Sequence, residues 1–91
     1  MKLAVISIIS PPLANDPCAV AVRAILEHWG YHHIQYVDWT WTGWASKLAF
    51  NYHMCHELTD FTHLMYVDAR DVVVLAGPDE VMERWRVLDH P

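Results

Sequence analysis

Two aspartates three residues apart are the clearest candidates for chemistry in this sequence. Asp68 follows the apolar run Met65-Tyr66-Val67, and Asp71 stands just beyond it. Carboxylates held this close repel one another, and a cation between them relieves that cost. Mg²⁺ and Mn²⁺ prefer such oxygen ligands and bind substrate phosphates as well. The structural alternative is that Asp68 caps a turn while Asp71 pairs with a neighbouring arginine or with solvent, and the spacing alone favours this alternative.

Strand and helix patterns alternate around the two aspartates. Strands that alternate with helices indicate βαβ units and a mainly parallel sheet, for which right-handed crossovers favour the order 2-1-3. We therefore predict an α/β fold, a Rossmann-like three-layer half-domain with a small, mainly parallel sheet flanked by helices. It forms one domain over residues 1–91. The predicted strands are residues 3–9, 34–39 and 62–68, and the predicted helices are residues 17–29, 44–58 and a last one from residue 78.

The helix patterns also predict which side chains point inward. Asp16 before Pro17 is a typical helix start. In the second helix we expect Leu48 and Cys55 on the inner side. In the last helix the apolar stripe consists of Val81, Met82, Trp85 and Leu88. His32 and His33 precede a strand and are expected in an exposed loop.

Ligands of such sheets bind beyond the carboxyl ends of the strands, beside strand 1. In this sequence that edge carries Ser7, Ser10, residues 39–43 and residues 68–71. Trp39, Trp41 and Trp44 cluster near it. They form a hydrophobic cover for the sheet, an aromatic wall for a nucleotide or sugar, or an exposed surface for a partner.

Residues 66–78 read Y-V-D-A-R-D-V-V-V-L-A-G-P. This stretch resembles the metal-binding segment of the glycosyltransferase domain in procollagen lysyl hydroxylases and collagen galactosyltransferases, roughly F-V-D-S-Y-D-V-I-L-A-G-S-P. The first strand is similar to that family's first strand, which ends in a nucleotide-contacting turn. Trp41-Thr42-Gly43 stands where the family has W-x-G-G, and Lys47 stands where the family has a lysine.

The resemblance implies that Asp68 and Asp71 ligate Mn²⁺ (or Mg²⁺), which bridges the diphosphate of a UDP-sugar donor and acts as a Lewis acid on it. It implies that Ser7, Ser10 and Trp41 lie near the uridine. Lys47 is expected near the nucleotide. Arg70 replaces the family's tyrosine between the two acids, and its guanidinium stacks on the nucleotide or pairs with phosphate.

Domains of that family are more than twice as long, and their later part supplies the acceptor site. The resemblance therefore implies the donor-binding half, a hexosyltransferase type of domain that is truncated relative to the family. The alternative is a catalytically inactive α/β module that serves as an interaction or assembly unit. On that alternative, a second copy or another partner covers the sheet edge beyond strand 3.

Composition restricts the partners and the location. Six Lys and Arg against eleven Asp and Glu give a net charge of −5. This charge argues against nucleic acid and against an anionic membrane as partner. Cys18 and Cys55 are too few for a disulfide framework, and Pro11-Pro12 after the first apolar run does not make a signal-peptide cleavage site. We therefore expect a cytoplasmic protein. His53, Cys55 and His56 lack the spacing of established zinc sites.

Overall fold

The structure, a computed structural model that describes residues 2–37 and 43–88, alternates parallel strands with helices. The strand order is β2-β1-β3, and both strand pairs are parallel, as predicted. The elements are β1 (Leu3–Ile8), α1 (Pro17–His28), β2 (His32–Tyr36), α2 (Trp44–Glu57), β3 (His63–Tyr66) and α3 (Pro78–Leu88), with a 3-10 turn at Pro11–Leu13.

The bounds of β2 and β3 differ from the prediction at both ends, and β1 ends one residue earlier than predicted. β2 begins at His32, so His32 and His33 are strand residues and the expectation of a loop is wrong. The reason is register: Ala4 pairs with His32 and Ile8 with Tyr36, so β2 runs beside β1 over its whole length. β3 ends at Tyr66, and the chain has already left the strand conformation when it reaches the aspartates.

Local chemistry explains both ends of α1. Asp16 caps the N-terminus as predicted, because its Oδ1 accepts a hydrogen bond of 2.9 Å from the backbone N–H of Cys18. Pro17 occupies the first helical turn, where no N–H is needed. Gly30 follows the C-terminus with φ +81°, a conformation that favours glycine, and turns the chain toward β2.

Side chains on opposite faces of the sheet pack against different helices, which gives three layers. Val5 and its neighbours pack against α1, with Val22 and Leu26 as partners. Ile6 points to the other face and packs against Phe50 and Met54 of α2. This alternation follows from the two-residue period of a strand.

The inner side of α2 is not the one that we predicted. Leu48 is 73% exposed and Cys55 is exposed as well, whereas Ser46, Phe50 and Met54 are buried. Apolar residues occur all around this helix, so periodicity did not select a face. Contact with the sheet selects it, because Phe50 fills the space above Ile6.

On the face of the sheet that packs against α1, the chain after β3 contributes few buried side chains. Val72 and Val74 pack against the core, while Val73 and Leu75 between and after them are 80% and 82% exposed. Tyr31 fixes this segment by donating a hydrogen bond of 2.8 Å to the carbonyl of Ala76. None of the described residues of α3 is buried, and of its predicted stripe Trp85 is 50% and Leu88 73% exposed.

Candidate functional site

A cleft of about 460 Å³ opens at the edge of the sheet where β1 and β3 end. This is the edge at which parallel α/β sheets bind their ligands. Residues at and after the end of β1 form one wall, the first turn of α2 another, and the loop after β3 the third. The lining residues are Ile8, Ile9, Ser10, Leu13, Trp44, Lys47, Asp68, Ala69, Arg70 and Asp71.

An ion pair joins α2 to the loop within this cleft. Lys47 Nζ lies 2.8 Å from Asp68 Oδ1, with side chains that are 25% and 44% exposed. The same ammonium lies 4.7 Å from the ring centroid of Trp44 and 5.6 Å from that of Tyr66. The hydrogen bond to Asp68 raises the pKa of Lys47, and burial raises the pKa of the Tyr66 phenol. Lys47 is therefore fully charged at neutral pH.

A second ion pair joins the same loop to α1. Arg70 Nη2 lies 3.3 Å from Asp16 Oδ2. The pKa of Asp16 is lowered, first by the hydrogen bond from Cys18 N–H and then by Arg70. Arg70 Nε is buried, and no described group accepts a hydrogen bond from it. Arg70 is thus tied to the cap of α1 through one nitrogen, while its buried Nε has no acceptor among the described residues.

Asp71 completes the set of charged side chains around the cleft. Among the ion pairs of residues 2–37 and 43–88, none includes Asp71. The same residues contain no group of three His, Cys, Asp or Glu side chains that could hold a metal ion. Asp68 and Asp71 on one open cleft still fit Mg²⁺ or Mn²⁺, because these ions are commonly held by one or two carboxylates with substrate phosphates and water as the other ligands.

The structure brings most of the predicted site residues together around the cleft. These are Ser10, Lys47, Asp68, Arg70 and Asp71. Trp41 lies outside the described residues, as does Trp39.

One residue predicted in the site lies outside the cleft, and one residue that was not predicted there contacts a cleft residue. Ser7 is fully buried within β1 and does not line the cleft. Asp16 was predicted only as a helix cap, and its contact with Arg70 spans 54 residues, so no local pattern could have indicated it.

Ser7 belongs instead to a polar network beneath α1. Its Oγ lies 2.8 Å from His33 Nε2 and accepts a hydrogen bond of 3.1 Å from Gln35 Nε2. Arg23 Nη1 donates to Gln35 Oε1 and to the carbonyl of Ala14. Burial, followed by the charge of Arg23, lowers the pKa of His33. This network satisfies polar groups inside the fold, as buried groups require.

Comparisons with known proteins add no relative. No protein-family model, curated protein or solved structure matches the chain. No helix within residues 2–37 and 43–88 is long and apolar enough to cross a membrane. The cleft and the motif residues that line it are therefore the features that indicate a function.

Proposed function

We propose that this chain is a glycosyltransferase-like domain that binds a UDP-sugar through a divalent metal ion held by Asp68 and Asp71. One observation supports the proposal above the others. Two carboxylates and two cationic side chains line a single cleft at the carboxyl edge of a parallel sheet: Asp68, Arg70 and Asp71 from the loop after β3, and Lys47 from α2. A nucleoside diphosphate and a divalent ion together need both signs of charge.

Each charged side chain has a distinct role in this proposal. Asp68 and Asp71 hold the ion, and when bound the ion neutralises charge on the diphosphate leaving group. Lys47 and Arg70 supply N–H donors to phosphate oxygens. The exposed ring of Trp44, which lines the same cleft, offers a flat surface on which a base or sugar ring stacks.

Calorimetric titration of UDP tests the proposal, first with Mn²⁺ and then with EDTA. We expect binding that requires Mn²⁺ and that falls at least about tenfold in Asp71→Asn, because one ligand charge is lost. Asp79→Asn is the matched control, since it makes the same change at an exposed residue of α3. Equal UDP binding with Mn²⁺ and with EDTA, or no binding in either, contradicts the proposal.

The location is proposed on separate grounds. Cys18 and Cys55 are free thiols. Free exposed thiols persist in reducing compartments, which supports the cytoplasm.

A second candidate function is an assembly module without turnover, which pairs with a second copy of the chain. The thin cover of the sheet by α3 and the outward side chains of Val73 and Leu75 favour it. α3 carries acids in its first turn and Arg86 in its last, so two antiparallel copies would match opposite charges. Light scattering at several protein concentrations checks this candidate. A mass that stays monomeric throughout counts against it.

A further inference from the structure

The metal site of the proposed function already has a cation beside it, which is the side chain of Lys47. Its Nζ lies 2.8 Å from Asp68 Oδ1, at the distance of a charge-assisted hydrogen bond. A divalent ion that binds Asp68 must compete with this ammonium or sit next to it. Either arrangement is unfavourable, because like charges a few ångströms apart repel one another.

The charges on the cleft wall make this competition decisive for a bare metal ion. The wall carries two carboxylates, Asp68 and Asp71, and two cations, Lys47 and Arg70. Asp68 is paired with Lys47, so a metal ion arriving alone meets only one carboxylate without an ion-pair partner among the described residues. One exposed carboxylate binds such ions weakly.

A diphosphate removes the obstacle because it offers Lys47 another anion. The Lys47 side chain is 25% exposed and carries its charge on a flexible four-carbon stem. A phosphate oxygen in the cleft can accept the hydrogen bond that Asp68 gives up. The ammonium then attracts the ligand, and Asp68 Oδ1 becomes available to the metal ion.

We infer that Lys47 is a positioning residue that holds Asp68 in the free protein and passes to the diphosphate when the metal–nucleotide complex binds. This inference rests on the proposed function and deepens it. The cleft selects the metal–diphosphate complex as one unit, in preference to the metal ion alone. A nucleoside without phosphates offers Lys47 no anion, so the ion pair with Asp68 persists and the affinity for the metal ion stays low.

The variant Lys47→Met separates this role from a structural one, because it changes the two affinities in opposite directions. Mn²⁺ alone is titrated first, followed by UDP at saturating Mn²⁺, both by calorimetry. Relative to the native chain, we expect Mn²⁺ alone to bind about three- to tenfold more tightly, since the competing cation is gone. We expect UDP to bind about tenfold more weakly, because a charged phosphate contact is lost.

Two further variants control the experiment. Lys2→Met removes the same charge at the opposite end of β1, where Lys2 lies near Phe61, and should change neither affinity. Lys47→Arg keeps the charge and should keep Mn²⁺ binding as weak as in the native chain. Urea unfolding of each variant tests whether its fold is intact before the affinities are compared.

The outcomes distinguish the inference from the proposed function. Mn²⁺ affinity that is unchanged or weakened in Lys47→Met overturns the inference, even where the native chain binds Mn²⁺–UDP. Absence of UDP binding by the native chain at saturating Mn²⁺ refutes the proposed function. In that case tighter Mn²⁺ binding by Lys47→Met still establishes that Lys47 competes with the metal ion for Asp68. If neither the native chain nor Lys47→Met binds Mn²⁺, the inference is overturned as well.

Discussion

The orientation of α2 can be tested by comparing substitutions at Phe50 and Leu48, two residues apart on the same helix. Phe50 is fully buried, and its ring makes edge contacts with Tyr36 and Tyr66 at centroid distances of 5.6 Å and 6.3 Å. Leu48 is 73% exposed. Truncation of the first should be costly and truncation of the second nearly neutral. The orientation matters for the proposed function because α2 also carries Lys47.

The expected magnitudes follow from burial. Phe50→Ala should lower the free energy of unfolding by about 3–5 kcal/mol, the range for truncated core aromatics. A chain of 91 residues is expected to have only about 5–14 kcal/mol in total, so this variant risks unfolding. Phe50→Leu is the safer variant, since it keeps apolar volume but loses the ring contacts, at a cost of about 2 kcal/mol. Leu48→Ala should change stability by less than about 0.5 kcal/mol.

Urea unfolding monitored by circular dichroism measures these differences. With a slope of about 2 kcal/mol per molar urea, Phe50→Leu should lower the midpoint by about 1 M, and Leu48→Ala should leave it within about 0.25 M. The slopes must agree between variants for the comparison to hold. A larger loss in Leu48→Ala than in Phe50→Leu would refute the reasoning and restore the orientation that periodicity predicts.

Three other substitutions test separate parts of the fold. Ser7→Ala should lower stability by about 1–3 kcal/mol, because it leaves buried partners without a hydrogen bond, yet it should change Mn²⁺–UDP affinity less than twofold. The lowered pKa of His33 means that the unfolded chain binds protons more readily than the folded one. Stability present above about pH 6.5 should therefore fall as the pH drops through the folded pKa. Urea midpoints between pH 7.5 and 5.5 should fall less in His33→Gln than in the native chain. Gly30→Ala should cost about 1 kcal/mol from its positive φ alone, and Gly77→Ala, whose added Cβ makes only ordinary contacts at 3.6 Å, should cost less by the same unfolding assay.

Local sequence patterns were sufficient for the order of the elements. The β-branched run of β1 and the Asp16-Pro17 helix start depend on neighbours in sequence, and both are found where they were predicted. Strand order followed from general rules of handedness and connection. The position of the cleft followed from strand order in turn, which placed Asp68 at this edge. Lys47 was expected near the site only from the resemblance, and its ion pair with Asp68 was not predicted.

Features that depend on distant partners were not accessible in the same way. Ser7 and Ser10 look equivalent in sequence, but Ser7 is still within β1 and pairs in register with Gln35, while Ser10 lies beyond the strand and lines the cleft. The start of β2 depends on which residues β1 presents to it. The inner side of α2 depends on the space left above Ile6. Each of these is decided by packing between elements that are remote in the chain.

The central place of β1 has a consequence for how the chain reaches this fold. β1 is made before both of its neighbours, one of which is β3, and the contact between Lys2 and Thr62 spans 60 residues. At about 5–20 residues per second, translation of that interval takes on the order of several seconds. During this time Val5 and Ile6 lack their full complement of partners. We therefore expect slow folding for a chain of this size. The apolar residues of β1 stay exposed during synthesis, and chaperones bind proteins in this condition.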